Sequence, residues 1–244
     1  MRVLVLRPEA QARASAARLA ATGHDPLVAP VLSIEATGAP APAGDFAAVL
    51  VTSANAAPAL FSLKQASHVP VFAVGRRTAA MLDEMGGGPT VSAPDAASLA
   101  RLVAEQLAPA RLLLIAGRDR KAEPEASLGT LGFNVVVWEA YHAIARPNLP
   151  ETARDALAGG NLDAVLHYSR RSAETALTLV TAAGLHADFA VLRHLCLSDD
   201  VAEGLSGLSG ATVKVADRPD EDTLLALLDT FAPAQIGGSL TPQS

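Results

Sequence analysis

The chain has 244 residues, half of them apolar and only 18% charged, with a formal net charge of −6 and one cysteine. That length exceeds a usual single domain and favours two cores of about 100 to 120 residues each, while the apolar content excludes global disorder. The acidic balance argues against a nucleic-acid carrier, which needs broad clustered positive charge, and the lone cysteine, Cys196, excludes an internal disulfide.

The chain opens Met1-Arg2 and reaches Arg7 and Glu9 before any secretory apolar region forms. Val3–Leu6 predicts a strand, and Glu9–Thr22 a helix with Ala12, Ala16, Leu19 and Ala20 at helical spacing and Gly23 as its stop. His24–Ala29 reads as a second strand, and Val31–Glu35 as an extended segment leading into the linker-like Ala36–Gly44. Ala48–Val51, Val71–Val74 and Leu112–Ile115 are further buried strands, with helices near Ala54–Lys64, Thr78–Met85 and Ala97–Leu107 between them. Val136–Ile144 is again extended and again leads into a Pro-containing stretch, Ala145–Pro150. Cys196 sits in the apolar run Ala190–Leu197 and is expected in a core, and the Gly/Ser/Pro-rich tail, residues 235–244, is expected to fray. Strands alternating with helices imply parallel sheets with helical crossovers. No apolar stretch approaches the roughly 18 residues of a membrane span, so a cytoplasmic protein is expected.

The second half repeats the first. Leu112–Ala116 echoes Val3–Arg7 at an offset of 109, and Gly132–Val136 echoes Gly23–Leu27 at the same offset. Ala164–Leu166 with Ser169 echoes Ala48–Leu50 with Ser53 at 116. Ala202 and Leu205 echo Ala79 and Leu82 at 123, and Thr223, Leu224 and Leu227 echo Ser98, Leu99 and Leu102 at 125. Matches in one order with slowly growing offsets point to a duplication.

Ligands of open parallel sheets bind beyond the carboxyl ends of the strands. Arg7, Arg76 and Arg77, Arg118, Arg120 and Lys121, and Arg170 and Arg171 all follow predicted strands, so eight of the 19 Lys and Arg fall in four loops of an acidic chain. Guanidinium groups grip carboxylates bidentately, which suits a polyanionic ligand. Polar loops also simply carry charge, and the hydroxyl and amide residues of the same turns (Thr52, Ser53, Asn55, Thr78, Ser169, Ser172) serve equally as helix N-caps. There is no P-loop, no dinucleotide fingerprint, no nucleophile elbow and no metal-ligand spacing, so neither cofactor nor metal is expected.

Leu6-Arg7-Pro8, Pro30-x-x-x-Ile34, Val51-Thr52-Ser53-Ala54-Asn55, Ala73-Val74-Gly75-x-x-Thr78-Ala79, Gly117-Arg118 and Glu139-Ala140-Tyr141 together resemble the uroporphyrinogen-III synthase family over nearly the whole chain. The resemblance implies two similar α/β lobes, each a parallel sheet flanked by helices and flavodoxin-like, joined by a two-stranded linker. The first lobe would be discontinuous, residues 1–31 with 148–234, the second would span 44–135, and 32–43 with 136–147 would be the linkers. The residues alone leave two consecutive halves as good a division. The resemblance also implies a cofactor-free monomeric lyase that closes the small-molecule polycarboxylate hydroxymethylbilane to uroporphyrinogen III, losing water and inverting ring D. It makes Tyr141 the proton donor, a phenol being protonated at neutral pH. Arg7, Ser53, Asn55, Gly75, Arg76, Thr78, Arg118, Ser169, Arg170 and Arg171 become candidates for substrate binding, with Thr78 matching a helix-capping threonine.

The chain departs from the family pattern at Leu197–Ala202, where Asp199 and Asp200 replace glycine, proline or hydroxyl positions. Pairing of these acids with Arg170 and Arg171 would offset them. That loop also supports a second reading, a non-catalytic two-lobe sensor of a polycarboxylate. A nucleotide-using flavodoxin-like enzyme is a third, weakened by the missing phosphate fingerprints.

Overall fold

A computed structural model describes residues 1–63, 68–86 and 90–231, except for the side chain of Arg77. The expected fraying of 235–244 and the C-terminal end of the predicted helix Ala54–Lys64 lie outside the described residues.

In chain order the elements are β1 (Arg2–Val5), α1 (Glu9–Ala21), β2 (Asp25–Val28), β3 (Leu32–Ala36), β4 (Ala48–Val51), α2 (Ala57–Ser62), β5 (Val71–Val74), α3 (Arg76–Glu84), β6 (Thr90–Ala93), α4 (Ala96–Gln106), β7 (Arg111–Gly117), α5 (Glu125–Thr130) and β8 (Asn134–Ala145). They continue with α6 (Glu151–Ala158), β9 (Ala164–His167), α7 (Arg170–Ala182), α8 (His186–Ala190), β10 (Arg193–Cys196), α9 (Asp199–Glu203), β11 (Thr212–Val215) and α10 (Glu221–Ala226). The chain divides into two compact units, Met1–Ser33 with Ala145–Ser244, and Ile34–Ile144.

The first unit holds a five-stranded sheet in the order β11-β10-β9-β1-β2, parallel throughout. Val3, Val5, Ala164, Leu166 and Leu195 face α1 and α10, whose Ala12, Leu19 and Leu224 complete that core. Strand side chains alternate between faces, so His167 and His194 point the other way, where α8 lays Phe189 edge-on against both rings.

The second unit holds a six-stranded sheet in the order β3-β8-β7-β4-β5-β6. Val49, Val51, Leu113 and Ile115 meet Leu60 of α2 and Leu82 of α3 on one face. Ala48, Leu50, Leu112 and Leu114 meet Leu99 and Val103 of α4 and Leu128 of α5 on the other. Both faces being covered explains why these strands read as unbroken apolar runs.

The sequence repeat is a structural repeat, and it is interleaved. Read from one edge, the first sheet is β2-β1-β9-β10-β11, and the second, inside its β3 edge, is β8-β7-β4-β5-β6. The offset of 109 superposes β1 on β7 and β2 on β8, and those of 116 to 125 superpose β4, β5 and β6 on β9, β10 and β11. Each unit therefore takes the first two strands of one copy and the last three of the other. The caps repeat too. Ser53 accepts from Asn55 N and Ser169 from Ser172 N, while Asp95 accepts from Ser98 N and Asp220 from Thr223 N.

Two edge strands were not anticipated from the sequence, and neither was the inner strand β10. β6 and β11 are four-residue edge strands carrying Thr, Ser and Lys. One exposed side replaces the apolar run with mixed residues. The run Ala190–Leu197 divides into the end of α8 and β10, with Cys196 fully buried and its thiol pushed up to about 12 by burial. Among the described residues no helix is long and apolar enough to cross a membrane, and no group of three or more His, Cys, Asp or Glu is placed to hold a metal.

Candidate functional site

β7 and β8 pair in register from Arg111 opposite Asn134 to Ala116 opposite Glu139, and then slip, so that Gly117 lies opposite Tyr141. Ala140 is the extra residue of a β-bulge, a device that re-aims side chains at strand ends. On strict alternation Tyr141 would join Val135 and Val137, which pack toward α4 and α5. The bulge moves it to the opposite face, with Val136, Trp138 and Ala140. The irregular backbone is satisfied locally: Thr37 N donates to Ala140 O at 3.1 Å, and Arg118 N donates to Tyr141 O at 2.9 Å. Trp138 Nε1 donates to Ala39 O at 2.9 Å, holding the segment after β3 against the same strand.

Tyr141 lies on Gly117, and it lines one cavity together with the Ser53 side chain. Ser53 already accepts the N–H of Asn55 at 3.2 Å, leaving its own O–H to donate. Burial raises the phenol pKa, and the polar groups of Ser53 and Gly117 oppose that rise only in part. The group is therefore held in its protonated, donating form at neutral pH.

Around this phenol lies a cavity of about 380 Å³, built wholly from the second unit. Thr52, Ser53 and Asn55 enter from the end of β4, and Tyr141, His142 and Ala143 from β8. Val74, Leu114 and Ala116 supply apolar wall, and the loop after β7 brings Asp119, Arg120, Lys121 and Glu123. Cations and acids thus alternate in one loop. Arg120 is held by Glu139 at 2.8 Å and by Glu125 at 3.7 Å, and Arg118 reaches the same Glu139 at 3.8 Å.

Of the residues proposed from the sequence, Ser53, Asn55 and Tyr141 line this cavity together. Gly75, Arg76, Thr78 and Arg118 belong to the same unit but not to its lining. The cap of α3 is Gly75 itself, at φ 84°, with Thr78 the third helical residue, so Thr78 is not the N-cap. His142, Asp119 and Glu123 were not singled out from the sequence. His142 directly follows Tyr141 on an extended segment and could have been found by that adjacency. The two acids had no signal beyond lying in a basic loop.

Arg7, Ser169, Arg170 and Arg171 lie in the first unit. Ser169 caps α7, and Arg171 is exposed in its first turn. Arg170 bonds Glu203 at 2.6 Å and Glu174 at 3.0 Å and reaches Asp200 at 3.6 Å, so one of the two acids of that loop is met by the first residue of α7. Arg7 stacks on Tyr168 at 3.9 Å and bonds Glu221 at 3.3 Å and Ser15 at 3.1 Å. Tyr168 Oη also donates to Glu221 at 2.8 Å, and Arg18 at 2.7 Å. Although burial opposes it, these donors together keep the Glu221 carboxyl below its ordinary value.

The repeat offsets give this cluster its meaning. Arg7, Tyr168 and Glu221 occupy the positions of Ala116, Thr52 and Ala96, which line the cavity of the second unit. Three small residues leave the strand-end crevice open in one unit, whereas three large, mutually bonded ones fill it in the other.

A family model described as "Uroporphyrinogen-III synthase HemD" matches residues 13–226. No curated protein matches the chain at a significant level. Among solved structures, uroporphyrinogen-III synthetase from Helicobacter pylori superposes with a TM-score of 0.62 at 16% identity, covering 94% of this chain and 99% of that one. A mutant uroporphyrinogen III synthase from the extremely thermophilic bacterium Thermus thermophilus superposes with a TM-score of 0.51 at 18% identity, covering 94% and 98%. At these identities the likeness is one of fold, which is thereby two-lobed α/β.

Proposed function

The chain belongs to the uroporphyrinogen-III synthase family, and from that membership we propose how its second unit takes part in the family's reaction. The protein is a cyclising lyase of tetrapyrrole synthesis: it closes hydroxymethylbilane, a small polycarboxylate, to uroporphyrinogen III with loss of water and inversion of ring D.

The observation that carries the residue assignment is the phenol of Tyr141, which follows a bulge and lines a cavity with Ser53. Loss of the hydroxyl from the substrate needs a proton and leaves a resonance-stabilised azafulvene cation. Tyr141 donates that proton to the departing hydroxyl, producing water. The Ser53 hydroxyl and Gly117 N–H then donate to the phenolate oxygen, which recovers a proton from the pyrrole carbon on ring closure. The apolar wall of Val74, Leu114 and Ala116 limits water near the cation. Arg120 and Lys121 receive substrate carboxylates at the cavity mouth, and Ser53 and Asn55 orient the chain. Gly75, Arg76, Thr78 and Arg118 remain candidates for more distant carboxylates of the same substrate.

The two places where the chain passes between the units, near Ser33 and Ala145, are the linkers of this reading. The cavity is complete within one chain, which supports a monomer as the working form. A single cysteine supports a reducing, cytoplasmic setting.

The test is turnover of enzymatically generated hydroxymethylbilane, with isomers resolved by chromatography after oxidation. Wild-type protein should give the type III isomer, and Tyr141→Phe should lower kcat by roughly a hundredfold or more. Exclusive formation of the type I isomer by the wild type would defeat the functional reading. An unchanged rate in Tyr141→Phe would remove only Tyr141 from its role.

A further inference from the structure

We propose that Gly117 is a positioning residue for the Tyr141 hydroxyl: the missing side chain is the space that lets the ring lie where it lines the cavity with Ser53. This rests on the assignment of Tyr141 as proton donor.

A Cβ added at Gly117 would stand 2.8 Å from Tyr141 Cε2, 3.3 Å from Cζ and 3.4 Å from Cδ2. Three atoms along one edge of the ring are engaged at once, so no small rotation relieves all of them. Nor can the ring retreat into the core, because it already packs with Trp138 and Ala140 in the cluster built on Ile115 and Leu113. The way left is outward into the cavity, carrying the hydroxyl from Ser53.

Conformation does not explain the glycine. The positive-φ glycines include Gly75 at 84° and Gly132 at 85°, but not Gly117. Gly117 is instead a buried strand residue paired with Tyr141 at the bulge, where any residue suits the backbone and only glycine suits the space. Nothing comparable stands at the repeat-related positions of the first unit, Pro8 and Leu32. The bulge and the glycine act together, one setting which face the ring takes and the other admitting it.

The experiment is a double-mutant cycle with Gly117→Ala and Tyr141→Phe, read by kcat, KM and isomer ratio. Gly117→Ala should lower kcat roughly tenfold to a hundredfold, the scale expected when a reacting group is displaced by up to about 1 Å, with KM little changed. In the double variant the loss should equal that of Tyr141→Phe alone, since a displaced phenol that is already gone costs nothing further. Losses that multiply, or a Gly117→Ala rate equal to wild type, would overturn the inference while leaving the role of Tyr141 standing.

A second readout does not depend on activity. The chain has two tyrosines, so in a Tyr168→Phe background ultraviolet titration follows Tyr141 alone. Gly117→Ala should move its titration toward that of a free phenol, and an unmoved curve would count against the displacement. If Gly117→Ala fails to fold, Gly117→Ala combined with Tyr141→Ala should restore folding by removing the obstructed ring. A double variant that stays unfolded would show that the obstruction lies elsewhere.

Discussion

The buried histidine pair of the first unit makes acid stability a measurable consequence of one hydrogen-bond chain. His194 Nε2 lies 3.0 Å from Phe189 O, and since a carbonyl only accepts, Nε2 carries the proton. His194 Nδ1 is then an acceptor, and it receives His167 Nε2–H at 3.1 Å. His167 Nδ1 is left as a buried lone pair without a hydrogen-bond partner. Both residues are almost wholly inaccessible. Protonation at either ring would place a charge in the core and aim an N–H at nothing or at another N–H. Desolvation accordingly lowers His194 from 6.5 to about 4, and desolvation together with the neighbouring ring lowers His167 well below 6.5.

Histidines whose folded pKa is depressed bind protons more readily in the unfolded chain, so stability is full above the unfolded pKa of 6.5 and falls as pH drops toward the folded value. For His194 alone, a separation between 6.5 and about 4 costs about 2 kcal/mol by pH 5 and roughly 3 kcal/mol below pH 4. His167 adds in the same direction. Glu221, with its carboxyl below the ordinary 4.5, loses its contribution only at still lower pH, so the interval from about 6.5 to 5 isolates the histidines. Urea unfolding across about pH 7.5 to 5 should show this loss, and imidazole NMR should show both rings neutral down to about pH 5. A stability that is flat over that interval, or a His194 titrating near 6.5, would refute the tautomer assignment and the reasoning built on it.

Arg7 gives a test that separates structure from binding. Arg7→Ala removes a donor from the mostly buried Glu221 carboxylate, which Ser15, Arg18 and Tyr168 also bond, and should cost roughly 1–3 kcal/mol of stability with KM changed less than about twofold. A several-fold rise in KM with unchanged urea unfolding would return Arg7 to substrate binding. Gly75→Ala offers a contrast with Gly117: at φ 84° the nearest atom to a new Cβ is Thr78 Oγ1 at 3.9 Å, so the expected loss of roughly 1–3 kcal/mol is conformational rather than steric. Denaturant unfolding checks it, and full stability in Gly75→Ala would mean the turn relaxes to negative φ.

The interleaved architecture explains how one duplication yielded two unlike strand-end sites. Small residues at Thr52, Ala96 and Ala116 keep the second unit open, while Tyr168, Glu221 and Arg7 satisfy one another in the first. Large polar groups buried together must bond one another, because an unpaired buried polar group is costly. Changing one of the three therefore means accommodating the others.

Much of this protein is legible in local chemistry. Apolar runs such as Ala48–Val51 and Leu112–Ala116 announce buried parallel strands, because covering a sheet on both faces demands continuous apolar side chains. The capping residues Ser53 and Ser169 mark helix starts for the same local reason, and the repeat offsets expose the duplication. Tyr141 and Ser53 could be singled out by family resemblance. What only the tertiary structure decided depends on contacts between residues far apart in the chain. Which copy lends its first two strands to which sheet is a matter of strand pairing, to which a periodic pattern is indifferent. The bulge at Ala140 reverses the facing of Tyr141 by one residue, and the amino-acid pattern reads the same on either register. The eight basic residues at strand ends looked alike in sequence. Glu221, 214 residues from Arg7, and Glu203, 33 from Arg170, decided that these two arginines are already paired, whereas Arg120 reaches the cavity beside its own partner Glu139.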